Sequence, residues 1–306
     1  MPGMRLSPVE HRRLRRRARL QRELTGWAFL GPMFFFFVLF LLVPVVGTFW
    51  WSTRSGGLLG ATTNAGLKNY TTFPQQVDAL TAVKNTLNFA LLSVPLTLVL
   101  GVLLALLLVK VGRGGGVYRF LIYFPTLVPG IVAGLIWLFL TNPDFGLLNN
   151  ILHAVGAQPI VWLGANSALR TLAAVDVWRN AGYWAIFFIA ALIGLPQELY
   201  QAAALDGAGP LARFWHLTPP MLRRILLFAL VVSTIFGLQV FDTALIMTAG
   251  GPGYATTTIV YRVWQYVFAY PDEIGLAAAM SSLLVVAILV LTLVQLRMLR
   301  GRRGLD

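Results

Sequence analysis

Six long apolar runs, at 27–51, 80–109, 117–140, 169–195, 225–248 and 274–298, decide what this chain can become. Each holds the roughly 20 apolar residues that a helix needs to cross a bilayer. The rest of the composition fits: 58% of residues are hydrophobic and only 11% charged, where a soluble domain carries about 25% charged residues. The expected fold is an all-α integral membrane protein, a six-span helical bundle. The first run follows an arginine-rich start, as a signal peptide would. Its apolar part is too long and no A-x-A-like site follows, so it reads as a retained span.

The net charge of +13 would suit a nucleic-acid binder, but its placement argues against one. Arg5, Arg12, Arg13, Arg15, Arg16, Arg17, Arg19 and Arg22 precede the first run, and Arg297, Arg300, Arg302 and Arg303 close the last. Lys110, Arg113 and Arg119 cluster between the second and third runs; Arg213, Arg223 and Arg224 lie between the fourth and fifth. The intervening loops are poor in cations, most clearly 141–168, which has none. This alternation is the positive-inside pattern. It predicts cytoplasmic termini, with a basic N-terminal segment at 1–26, a six-span membrane domain at 27–299 and a basic tail at 300–306. No cysteine is present, and His11, His153 and His216 lack ligand spacing, so no metal site is expected.

The segment between the fourth and fifth runs, 196–224, is the most structured loop. Pro196 suits the first turn of a helix, and Ala202, Ala203 and Ala204 favour helix while letting another backbone approach. Asp206-Gly207 marks its end. A second short helix over 211–217 is expected to stop at Pro219-Pro220. On spacing alone this knob serves equally as a docking point for a peripheral protein or as a plain re-entry turn.

The wording of that loop, "YQAAALDGAGPLARFWHLTPPML", resembles the EAA loop of permease subunits of binding-protein-dependent ABC importers. The matching positions are Ala202, Ala203, Asp206, Gly207, Ala208, Phe214, Leu217 and Pro220. Gln201 stands where the family usually has glutamate, and Pro219 where leucine is usual. The stretches "FPTLVPGIVAGLIWLFLTNPDFGLLNN", "VWRNAGYWAIFFIAALIGLPQELYQAA" and "MTAGGPGYATTTIVYRVWQYVF" resemble the sugar-type subfamily. The resemblance implies a permease half moving a sugar-like solute, an oligosaccharide, a monosaccharide or a glycerol-phosphate type, by alternating access. It also implies a second homologous permease, two ATPase subunits gripping the EAA loop and an extracytoplasmic solute-binding protein. No cofactor is implied in this chain; ATP and magnesium would sit on the ATPases, in a prokaryotic inner membrane.

The residues agree with a chain that has no engine. No G-x-x-x-x-G-K-[ST] occurs; "GRGGGVY" and "GGPGY" lack the lysine and hydroxyl that hold phosphate and magnesium. No catalytic set suggests an enzyme. Charges inside spans are costly and by default face a cavity or each other. Asp176, Arg179 and Asn180 share one helical face, with Tyr183 a turn deeper; the pair Asp176–Arg179 is equally readable as a local ion pair. Ser233, Gln239 and Asp242 follow along the fifth run, where Asp242 reads as an end cap. Asn180, Gln239, Tyr183, Trp178 and Trp137 supply the planar polar and aromatic groups that bind sugars. The resemblance adds Pro125, Pro129, Asp176, Asn180, Ser233 and Gly237 to the solute path. An ion-coupled secondary transporter using Asp176 and Asp242 is the alternative, though no inverted repeat is visible; a membrane scaffold is a third.

Overall fold

The computed structural model describes residues 8–57, 60, 62–112 and 114–300. The first apolar run continues a helix that begins far upstream: α1 (Pro8–Phe37) passes through a π-helical turn (Val38–Leu42) into α2 (Val43–Trp51). Residues 1–7 of the expected basic segment, and the tail beyond Arg300, lie outside the described residues. A two-residue hairpin, β1 (Arg54–Ser55) with β2 (Thr63–Asn64), and a short α3 (Lys68–Thr72) lead to α4 (Ala79–Leu108). Then come α5 (Gly115–Leu127), α6 (Gly130–Leu140), α7 (Leu147–Ala154), α8 (Ala168–Ile193), α9 (Gln197–Leu205), α10 (Pro210–Leu238), α11 (Ile259–Phe268) and α12 (Ile274–Arg300). Among the described residues, four helices are long and apolar enough to cross a bilayer alone. Two bent pairs, α5 with α6 and α8 with α9, bring the number to six if each counts as one span.

The centre is α4 packed along α8, with α10 on α4 and α5 on α8. Val94, Leu98, Trp184, Phe188, Leu222 and Ala229 form its apolar core. In lipid no hydrophobic force draws helices together, so close approach through small residues carries the packing. A Cβ on Gly101 would meet Trp184 Cβ at 2.9 Å, and one on Gly182 would collide with the Ile122 carbonyl. The first helix is different: along Gln21–Trp51 none of its most apolar window is buried.

Polar ties gather where α4 begins. Asn85 Nδ2 donates to the carbonyls of Tyr254 (2.8 Å) and Thr257 (3.0 Å), and Thr86 Oγ1 accepts from the Ile259 amide at 2.9 Å. Arg262 Nε stands 2.8 Å from Asp78 Oδ2, an ion pair off-line for a hydrogen bond, and its guanidinium lies over Tyr266 at 4.7 Å. The Tyr70 hydroxyl bridges Ser52 Oγ at 2.7 Å and Ser282 Oγ at 2.9 Å. These bonds fasten the 249–268 segment to α4, and the end of α2 to α12.

Three expectations about spans change. The third run is not one helix: it breaks at Val128-Pro129, and α5 and α6 meet at 97°. Proline keeps its predecessor out of the helical region, and Val128 is extended at ψ 124°. The fifth run ends as an α-helix at Leu238 and resumes as a π-turn, Ala244–Thr248. Pro219 and Pro220 do not stop a short helix; α10 runs through them from Pro210. The carbonyls they leave without an N–H partner belong to Trp215 and His216, both on an exposed stretch where water can bond them.

Candidate functional site

Two places collect the singled-out residues. The first is the turn around Asp206. Helix α9 ends in a paired capping pattern: the Gly207 amide donates to the Ala204 carbonyl at 3.1 Å, and the Ala208 amide to the Ala203 carbonyl at 2.9 Å. This is the Schellman arrangement, and it needs a left-handed residue at the position after the cap. Gly207 supplies it at φ 81°. Pro210 then opens α10, after Gly209. The Tyr200 hydroxyl lies 2.9 Å from Thr218 Oγ1, tying α9 to α10. No residue of α9 is buried, and Leu205, Leu211 and Trp215 are largely exposed. Gln201, Ala202, Asp206, Gly207 and Pro220 are exposed, with Ala203, Ala208, Phe214 and Leu217 half-buried.

The second is a cavity of about 480 Å³ between α4, α8 and α10, beside the breaks in the third and fifth runs. Asp176, Asn180, Tyr183, Ser233, Gly237 and Gln239 all line it. Pro125 and Pro129 are not among its lining residues; they flank the break, and the residue that reaches the cavity there is Thr126. Thr126 Oγ1 donates to the Arg179 carbonyl at 2.7 Å, holding the end of α5 on α8.

Local detail corrects two readings. Asn180 Nδ2 donates to Asp176 Oδ1 at 2.8 Å and to its carbonyl at 3.0 Å, so the close partner of Asp176 is Asn180 rather than Arg179. Asp242 does not end the fifth span's helix: α10 has already stopped at Leu238, and Asp242 opens the next helical stretch and lines the cavity. A Cβ on Gly130 would collide with Asp242 Oδ2 and come within 2.9 Å of Arg179 Nη1. Trp137 and Trp178 stack edge to face on each other, ring centres 5.6 Å apart, outside the cavity wall.

Several lining groups escaped sequence reasoning. Val94 and Thr97 come from α4, and Phe236, Phe241 and Thr243 from the broken fifth run. Thr97 Oγ1 and Ser233 Oγ are buried with no hydrogen-bond partner among the described residues. Two orphaned hydroxyls at a cavity wall are unusual, because buried polar groups are nearly always bonded. Thr97 had a signal, a lone hydroxyl in an apolar run, but nothing in the sequence said which face of α4 would meet α8.

Residues 97–303 match the family described as "Binding-protein-dependent transport system inner membrane component". The trehalose/maltose transport system permease protein MalF of Thermococcus litoralis is 35% identical over 280 residues, 91% of this chain and 94% of the relative. The sn-glycerol-3-phosphate transport system permease protein UgpA of Agrobacterium fabrum is 34% identical over 284 residues, 92% and 96%. Among solved structures, a chain of a bacterial ABC transporter that imports the acidic polysaccharide alginate superposes with a TM-score of 0.82, covering 95% of this chain and 100% of that one. At 22% identity it speaks for the fold alone. The chain belongs to the binding-protein-dependent transport system inner membrane component family. It is the permease subunit of an ABC importer, a multi-pass inner-membrane protein and not itself an enzyme.

Proposed function

We propose that this chain forms half of a translocation path for a sugar-like solute, and that its cavity is the part of the path it contributes. The observation that carries the reading is the meeting of Asp176, Asn180, Ser233 and Gln239, from two helices flanking the α9 turn, around one cavity with unbonded hydroxyls. Polyhydroxy solutes need such mixed donors and acceptors, and Tyr183 adds a face on which a ring can lie. The volume is in the range of small-molecule sites. The names of the relatives, trehalose/maltose and sn-glycerol-3-phosphate permeases, support a polyhydroxy solute, neutral in the first and anionic in the second.

The turn at Gln201, Ala202, Ala203, Asp206, Gly207 and Ala208, with Phe214, Leu217 and Pro220, is the coupling site. It is exposed, rigidly capped and covalently continuous with α8 and α10, the two helices that wall the cavity. A push on it is therefore a push on the cavity. In this reading two ATPase subunits, which hold ATP and magnesium, dock there. The termini and the 196–224 loop are cytoplasmic, with 1–26 and 300–306 flanking a membrane domain at 27–299. A second homologous permease completes the path, and the unburied first helix supports such a partner. A solute-binding protein delivers from outside. The breaks at Val128-Pro129 and at Gln239 to Thr243 let the cavity switch sides.

Uptake into vesicles loaded with ATP, with no ion gradient, tests the reading. Uptake that needs ATP and the binding protein, and that vanishes with Gly207→Arg, supports it. Uptake driven by a proton or sodium gradient without ATP contradicts it.

A further inference from the structure

The cavity wall carries three charged side chains: Asp176 and Arg179 from α8, and Asp242 from beyond the end of α10. Arg179 and Asp242 converge on the same spot. Where the third run breaks, Gly130 has no side chain, and the point a Cβ would take lies against Asp242 Oδ2 and 2.9 Å from Arg179 Nη1. Asp176 lies one turn back from Arg179 on the same helix face. One guanidinium thus shares the cavity wall with two carboxylates, and Asp242 is the one that meets it at Gly130.

We propose that Asp242, set against Arg179 at Gly130, is a specificity-determining residue that keeps the path closed to anionic solutes. The proposal rests on the cavity being the solute path. A neutral polyhydroxy solute finds carboxylate acceptors, a guanidinium donor and the free hydroxyls of Thr97 and Ser233. A solute bearing carboxylate or phosphate meets two carboxylates before it can use the one arginine. At an effective dielectric of about 20, a like charge about 6 Å away weakens binding by at least about tenfold. Removing the Asp242 charge releases Arg179 to serve an anion. Removing the Arg179 charge does the reverse.

The test uses the assembled importer in detergent and two probes of one shape: maltose, and the maltose analogue with one CH₂OH oxidised to carboxylate. Saturation-transfer NMR titration reads weak binding of each. For the native complex, maltose should bind and the carboxylate probe should bind at least about tenfold more weakly. Asp242→Asn should tighten the carboxylate probe about fivefold or more while maltose moves less than about threefold. Arg179→Gln should weaken the carboxylate probe further. Equal binding of both probes to the native complex overturns the proposal. So do Asp242→Asn and Arg179→Gln changes that shift both probes alike, the mark of a merely structural role. Gly130→Ala, which displaces the Asp242 carboxylate without changing any charge, should fall between native and Asp242→Asn. If the native complex binds neither probe, the solute-path reading itself fails, a result distinct from equal binding.

Discussion

The turn around Asp206 and the cavity between α4, α8 and α10 obey different physics, although α8 and α10 reach both. The turn is local. A run of alanines, a left-handed glycine and a proline at a helix start specify it within about a dozen consecutive residues, and its bonds close on themselves. The cavity is assembled from segments far apart in the chain, and what defines it is partly what is missing: hydroxyls without partners and a glycine with a carboxylate against the point where a Cβ would lie. One site is capped and exposed, as the proposed docking role requires; the other is polar and bordered by breaks. A machine that transmits force from one to the other needs both qualities.

Substitutions can break that comparison. The largest effect belongs to Gly207→Arg. At φ 81° any L side chain is strained, by about 1–2 kcal/mol, and a long cation would also stand on the exposed face. Uptake should fall to background while the protein still inserts and its cavity still binds solute; loss of solute binding would mean that the two sites are not separable. Next is Gly237→Leu. Its Cβ would already press Val94 Cγ2 at 2.9 Å, so the α4–α10 contact must open. Overpacking of this kind costs about 1–3 kcal/mol, and a lowered melting temperature with weakened solute binding is expected.

Asn180→Ala removes a cavity amide and its bond to Asp176. A lost hydrogen bond of this type is worth about 1–1.5 kcal/mol, or roughly tenfold in solute affinity, with ATP hydrolysis by the assembled complex little changed. An unchanged affinity would move the solute path elsewhere. The smallest effect is Tyr200→Phe, which cuts the 2.9 Å bond to Thr218. About 1 kcal/mol of stiffness between α9 and α10 should cost uptake up to about fivefold and solute affinity nothing. Equal losses in both would blur the distinction between the two regions.

The same contrast explains what was readable in the sequence. Apolar length predicts spans because the bilayer imposes one dimension on each helix, and the second, fourth and sixth runs agree with α4, α8 and α12 to within a few residues. The helix at 197–205 and its glycine were legible because capping is a nearest-neighbour matter. Pro219-Pro220 misled because the cost of a proline depends on whether water can bond the freed carbonyls, which is set by where α10 sits. The pair Arg179 and Asp242 was out of reach for another reason. More than sixty positions separate them in sequence, and only the break that brings Gly130 between them gives their charges a common task.

The central claim is that ATP-driven force enters at the turn and is spent at the cavity. Solute uptake by the reconstituted importer, with ATP inside and no ion gradient, tests it most directly when the native chain is compared with Gly207→Arg. The account predicts binding-protein-dependent uptake for the native chain, none for the variant, and continued solute binding by both. Equal uptake by both, or uptake that follows an ion gradient and ignores ATP, would contradict it.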